Sequence, residues 1–146
     1  MNESVNIKSS GKRILFACVP AEGHFNPLTG LAKHLQSVGY DVRWYTAARY
    51  EKKLQELGIP FYGFDKAVDM MAGEPDTAFP ERAKLKSQVG KLNFDMEHFF
   101  IKRAPEYFVD MQAIHKKFAF DLLIADVTFT GTVFVKDLMK IPVIAI

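Results

Sequence analysis

The chain has 146 residues, 49% of them hydrophobic, which is enough for one domain with a substantial core. Its 19 basic and 17 acidic residues give a net charge of +2, so the charge offers no reason to expect nucleic acid or an anionic membrane as a partner. The single cysteine, Cys18, excludes an intrachain disulfide and favours a reducing compartment.

Residues 1–12 are polar and lack the apolar stretch of a signal peptide. We therefore expect a flexible N-terminal tail and a cytoplasmic protein. No later segment reaches the ~18 apolar residues of a membrane span, so none is predicted.

Five short apolar runs predict β-strands. They lie at residues 13–19, 41–46, 60–63, 121–125 and 142–146. The first, fourth and fifth are nearly continuous in apolar residues, a pattern typical of strands buried on both faces of a parallel sheet.

Apolar residues at helical spacing predict four helices between these strands. The helices are expected at residues 27–38, 48–57, 96–117 and 130–140. We expect Gly39 and Gly58 to end the first two helices, and Pro105 to kink the third or to begin a new one. In the fourth helix, Phe134 and Leu138 are expected to face the core.

Strand alternating with helix predicts an α/β fold, a doubly wound, Rossmann-like parallel sheet with strand order 3-2-1-4-5. The exception is residues 64–95, which have no clear periodicity. A loop of this length is usually functional or mobile, and its lysines fit a solvated surface. Because the sequence stops at the end of the fifth predicted strand, we expect a longer protein of which this is the first part.

The loop after the first strand, CVPAEGHFNP, carries the most chemical information. Ligands of doubly wound sheets bind at the carboxyl ends of the strands, where this loop lies. It has neither the GxGxxG pattern of a dinucleotide site nor GxxxxGK[ST], since Gly23 is its only glycine. Instead it places His24 at a helix start, with Asn26 suited to capping that helix and Pro27 to its first turn.

Asp126 follows the fourth predicted strand, which neighbours the first in the expected order. The loops of His24 and Asp126 should therefore lie side by side although 102 residues separate them. A histidine titrates near neutral pH and serves as a general base when a carboxylate orients its ring. Two alternatives stay open: His24 could be structural or merely exposed, and Asp126 could cap a helix starting near Thr128 or Thr130.

No metal site is predicted. His98 and His115 lie on the third predicted helix and share no metal-ligand spacing with an acidic residue or the cysteine.

Two segments together resemble family 1 glycosyltransferases of the GT-B fold, which include bacterial macrolide and natural-product transferases and plant and animal UDP-glycosyltransferases. One runs RILFACVPAEGHFNPLTGLAKHLQSVGYDVRWYTAARYEKKLQELGIPFYGF and the other FDLLIADVTFTGTVFVKDLMKIPVIAI. The pattern is an apolar strand, GHxxP, LAxxLxxxGxxV and a following threonine. Its matches are Gly23-His24 with Pro27, Leu31-Ala32 with Leu35, Gly39 with Val42, and Thr46. The resemblance covers residues 13–64 and 120–146 and is weak between them.

This resemblance implies the N-terminal half of a GT-B fold, with an acceptor-binding domain at residues 13–146 and no C-terminal donor-binding domain. The family's catalytic histidine falls on His24 and its partner aspartate on Asp126, and Gly23 is assigned to the donor-binding loop. The implied reaction is inverting transfer of a sugar from a UDP- or dTDP-linked donor to a hydroxyl of a small lipophilic acceptor, with no metal or other cofactor. We expect the chain alone to be inactive.

Apolar residues in and around the irregular region are candidates to line the acceptor pocket, because methionine and phenylalanine form adaptable apolar surfaces. They are Phe25, Phe64, Met70, Met71, Phe79, Phe94 and Phe99. Each could equally be a core residue. Two other functions also stay open. One is a non-catalytic subunit that binds an acceptor or other ligand and pairs with a separate donor-binding chain. The other is a generic flavodoxin-like domain, which the missing phosphate loop disfavours.

Overall fold

A single five-stranded parallel sheet organises the protein, of which the computed structural model describes residues 11–146. The strands are β1 (Arg13–Ala17), β2 (Asp41–Thr46), β3 (Phe61–Gly63), β4 (Leu122–Ala125) and β5 (Val143–Ala145). Their order, β3-β2-β1-β4-β5, confirms the predicted fold class and topology. Of the tail predicted at residues 1–12, residues 1–10 lie outside the described residues.

Seven α-helices are found among the described residues. They are α1 (Glu22–Ser37), α2 (Glu51–Glu56), α3 (Pro75–Ala78), α4 (Pro80–Ala83), α5 (Gln88–Asp95), α6 (Ala104–Lys117) and α7 (Thr132–Leu138). A 3₁₀ turn at Ala48–Tyr50 precedes α2, and a π-helix at Met96–Phe100 with a 3₁₀ turn at Ile101–Arg103 joins α5 to α6. The long predicted helix is thus interrupted, and α6 begins anew with Pro105 in its first turn, where its missing N–H costs no hydrogen bond.

The start of α1 differs from the prediction. The helix begins at Glu22, and Asn26 and Pro27 lie inside it rather than at its cap. The reason is local: the N–H groups of His24 and Phe25 donate to the Ala21 carbonyl at 3.0 and 2.9 Å, which closes the first turn before Asn26 is reached. The predicted ends are confirmed in kind, since Gly39 and Gly58 follow α1 and α2 with φ of +96° and +67°.

Two hydrophobic cores lie on opposite faces of the sheet, and strand residues alternate between them. The side chain of Leu15 packs against α6 and α7 on one side, whereas that of Phe16 packs against α1 and α2 on the other. β1 and β4 are therefore buried on both faces, as predicted. β5 is not, because α7 covers Val143 while Ile144 remains 49% exposed.

The prediction for Leu138 was wrong. Leu138 is 62% exposed, whereas Val135 of the same helix is fully buried. α7 ends at Leu138, and the next residue, Met139, packs on the core in its place, four positions after Val135. Phe134 is half-buried and packs its ring on Phe108.

A buried carboxylate anchors the chain that follows β3. Asp110 of α6 is 2% exposed and accepts four hydrogen bonds. The donors are the Tyr45 hydroxyl at 2.7 Å and the N–H groups of Asp65, Lys66 and Ala67 at 3.0, 2.8 and 3.2 Å. Burial and the bond to Asp110 hold the pKa of Tyr45 far above its usual value. These donors offset the cost of burying the charge, so the start of the irregular segment is tied to α6.

We expect Asp110→Asn to lower the free energy of unfolding by about 1.5–3 kcal/mol, because an amide has one acceptor oxygen and turns an NH₂ group toward backbone donors. Urea denaturation measures the loss. The same substitution at the exposed Asp137 is the control and should stay within about 0.5 kcal/mol of the parent. Equal effects at both positions would contradict the anchoring role.

Candidate active site

The carboxyl ends of β1 and β4 bring His24 and Asp126 together. Ala17 pairs with Ala125 in the β1–β4 register, and the N–H of Asp126 donates to the Ala17 carbonyl at 3.1 Å. The two side chains meet in front of these strand ends, with His24 Nδ1 2.8 Å from Asp126 Oδ2. The two segments therefore lie side by side in the structure, as the sequence predicts.

The two members of this pair differ in exposure. The His24 side chain is 35% exposed, whereas that of Asp126 is 10% exposed. Because an ionised carboxylate only accepts hydrogen bonds, this contact favours the imidazole tautomer with its proton on Nδ1 and its lone pair on Nε2. Asp126 thus holds the ring through Nδ1, and the Nε2 of this partly exposed side chain is left for a second hydrogen-bonding partner.

The second oxygen of Asp126 is also engaged. Oδ1 accepts the N–H of Thr128 at 2.9 Å and the hydroxyl of the same residue. This is an Asx turn and not a helix cap, since α7 begins only at Thr132 and no side chain caps it. Sequence reasoning missed Thr128, although the spacing Asp-x-Thr after a strand is a signal for such a turn.

Three of the acceptor candidates form one aromatic cluster. Phe79 has ring centroids of Phe94 and Phe99 at 5.5 Å each, and His98 stacks on Phe94 at 3.8 Å. The ion pairs of Arg82 hold α4 to α5 and so help to fix the cluster. The cluster is coupled to the loop after β4 by the Thr130 hydroxyl, which donates to the Phe100 carbonyl at 2.8 Å.

The other acceptor candidates lie elsewhere. Phe25 is 1% exposed and belongs to the core beneath α1, where it packs on Trp44 and Tyr50, so it has no surface for a ligand. Phe64 packs on Tyr45 and Tyr107 at the edge of the opposite core. Met70 is half-buried and Met71 is exposed.

Met71 borders a cleft of about 340 Å³ that also contains Arg49 and Lys53. Both cations are engaged by acids, with Lys53 Nζ 2.7 Å from Glu22 and Arg49 Nε 3.4 Å from Asp69. Nearby, a Cβ added to Gly23 would meet no atom within 4 Å, so packing among the described residues does not require glycine there.

Residues 11–146 contain no group of three or more His, Cys, Asp or Glu side chains arranged to hold a metal ion. Within the same residues, every helix is too short or too polar to cross a bilayer.

The chain is similar to proteins named as glycosyltransferases, although no family model matches it. It is 32% identical over 133 residues to 4'-demethylrebeccamycin synthase of Lentzea aerocolonigenes, covering 91% of this chain and 31% of that protein. It is 27% identical over 128 residues to UDP-glucosyltransferase A1 of Starmerella bombicola, covering 84% and 28%. The chain therefore spans about a third of the length of these relatives.

Solved structures agree on the fold. The calicheamicin glycosyltransferase gives a TM-score of 0.71 at 18% identity, over 93% of this chain and 32% of that one. A glycosyltransferase of Streptomyces sp. SF2575 gives 0.69 at 18% identity, over 92% and 38%. Together with the relatives, these structures confirm the resemblance to family 1 glycosyltransferases of the GT-B fold.

Cys18, directly after β1, is fully buried, and its thiol lies 3.7 Å from the Thr46 hydroxyl. Burial disfavours the thiolate and raises the pKa of Cys18 from 9.0 to about 11. A raised pKa in the folded state means that stability is fully present below pH 9 and is lost as the pH rises toward 11.

We therefore expect the parent to lose about 1 kcal/mol more unfolding free energy between pH 8 and pH 10 than Cys18→Ala does. Urea denaturation of both proteins at the two pH values measures the difference. Tyr45 is present in both, so its contribution cancels. An equal loss in both proteins would show that burial of the thiol does not set this pH dependence.

Proposed function

We propose that this chain, a fragment of a family 1 GT-B glycosyltransferase by sequence and fold, is the acceptor-binding domain of that enzyme, with residues 13–146 as the domain. The reaction is transfer of a sugar from a nucleotide-sugar donor to an acceptor hydroxyl, with inversion at the anomeric carbon. The observation that carries the proposal is the His24–Asp126 pair at the carboxyl ends of β1 and β4.

His24 acts as the general base. Its Nε2 removes the proton of the acceptor hydroxyl while the hydroxyl oxygen attacks the anomeric carbon, and the nucleoside diphosphate leaves from the opposite side. Asp126 holds the Nδ1–H at 2.8 Å and stabilises the imidazolium that forms. Such base assistance contributes typically ~10²–10⁴-fold, and orientation of the two substrates supplies much of the rest.

The donor binds mainly to a second domain outside these residues. We place a UDP- or dTDP-linked sugar against the first turn of α1 at Gly23, where the space that a side chain would occupy is open. The relative named UDP-glucosyltransferase A1 supports a nucleotide-sugar of this class. Neither step of the mechanism needs a metal or another cofactor.

The acceptor is a small lipophilic molecule with a hydroxyl group. Its surface on this chain is formed by the half-buried rings of Phe79 and Phe94, and Phe99, which is only 7% exposed, packs against Phe79 as their support. Thr130 links this cluster to the loop of Asp126. Stacked and edge-on aromatic rings suit a flat apolar ligand. Phe25 is left out because it lies in the core.

His24→Ala should lower the rate of sugar transfer at least ~10²-fold in a polypeptide that joins this chain to a donor-binding domain, while acceptor binding is retained. The rate is measured as released nucleoside diphosphate, and acceptor affinity by calorimetry. His34→Ala is the matched control, because His34 is an exposed residue of the same helix. A near-parental rate for His24→Ala would refute the base assignment.

Residues 1–146 alone should show no transfer with UDP- or dTDP-sugars and a phenolic acceptor, because the donor is not held. Release of nucleoside diphosphate faster than in buffer without the protein would contradict this expectation. If activity instead returns when a separate donor-binding chain is added, the alternative of a ligand-binding subunit gains over that of a single two-domain enzyme.

A further inference from the structure

Thr128 contacts both members of the His24–Asp126 pair. Its hydroxyl and its N–H both donate to Asp126 Oδ1, the latter at 2.9 Å. The same hydroxyl oxygen lies 3.4 Å from His24 Nδ1. The backbone contact is available to every residue except proline, but the hydroxyl contacts are available only to threonine and serine.

The hydroxyl is not needed for the turn. The N–H of Thr128 closes the Asx turn, and the N–H of Phe129 donates to the Asp126 carbonyl at 2.9 Å. These two bonds, neither of which uses the Thr128 side chain, fix the path of the chain after β4. The side chain of Thr128 adds a contact whose target is the carboxylate itself.

The arrangement has a consequence for the proton on His24. The single hydroxyl proton of Thr128 is donated to Asp126, so only oxygen lone pairs face His24 Nδ1. Asp126 Oδ2 also presents only lone pairs to this nitrogen. Both neighbours therefore favour a proton on Nδ1, and a ring protonated on Nε2 instead would place three lone pairs against one another.

We propose that Thr128 is a positioning residue that directs Asp126 Oδ2 at His24 and fixes the Nδ1–H tautomer, leaving Nε2 unprotonated toward the open side. Two donors on Oδ1 oppose rotation of the carboxylate, and hydrogen bonds to a charged acceptor are the strong kind. The effect on catalysis rests on the proposed function, whereas the effect on the tautomer rests on this geometry alone.

The test is the tautomer of His24 in the 146-residue chain, read from long-range ¹H–¹⁵N correlations of the ring nitrogens at a pH where the ring is neutral. His24→Ala assigns the signal among the four histidines. We expect the parent to hold the proton on Nδ1 and Thr128→Val to raise the Nε2–H population several-fold. Thr128→Ser should restore the parental pattern.

Thr130→Val is the matched control, because it removes a hydroxyl two residues away that donates to the Phe100 carbonyl and not to the pair. It should leave the tautomer of His24 unchanged. If Thr128→Val loses the amide dispersion of a folded protein, Thr128→Ala replaces it with the same expected shift. A parental tautomer in a folded variant without the Thr128 hydroxyl would overturn the proposal.

A second readout separates this proposal from the proposed function. In the two-domain polypeptide, Thr128→Val should lower kcat about tenfold or more with little change in the acceptor KM, and Thr128→Ser should recover it. The tautomer result stands without any transfer assay. A shifted tautomer in the 146-residue chain, together with no sugar transfer by the parental two-domain polypeptide, would therefore reject the function and keep the role of Thr128.

Discussion

The pairing of β1 with β4 is the constraint on which the rest of the site depends. The chain places His24 after β1 and Asp126 after β4, and only the parallel register that sets Ala17 beside Ala125 brings them within hydrogen-bond distance. The long connection from β3 must cross back over the sheet to make this possible. Its return is secured by α6, whose Asp110 holds the start of that connection through backbone donors. A carboxylate far from the chemistry thus helps to maintain the topology that creates the site.

Asp110 and Asp126 solve the same physical problem in two ways. Both are buried, and in both each carboxylate oxygen accepts a hydrogen bond, which offsets the loss of water. All the hydrogen bonds that Asp110 accepts come from backbone N–H groups and the Tyr45 hydroxyl, so it is a fixed anchor. Asp126 accepts hydrogen bonds from Thr128 in the turn and from the partly exposed imidazole of His24. Its negative charge therefore faces a ring that reaches the surface. The two aspartates therefore differ in their hydrogen-bond partners and not in their burial.

Sequence patterns predicted the sheet, its order and the meeting of His24 with Asp126, because strand periodicity and the position of loops at strand ends are encoded locally. They failed where two local signals compete. Asn26-Pro27 looks like a helix start, yet the backbone closes a turn earlier at Ala21. Phe25 adjoins His24 in sequence, but one residue along a helix turns a side chain by about 100°, which sends it into the core. Thr128 was missed because its importance depends on where Oδ1 of Asp126 points.

The loop after β4 connects the His24–Asp126 pair to the aromatic cluster proposed to bind the acceptor. Asp126 accepts a hydrogen bond from His24, and four residues later the Thr130 hydroxyl donates to the carbonyl of Phe100 at the end of the π-helix. A π-helix leaves the backbone pattern of its neighbours unmatched, which is why such segments recur at functional sites and why this carbonyl accepts a side-chain donor. One short loop thus contacts both His24 and the segment that carries Phe99, so the proposed base and the proposed acceptor surface share one support.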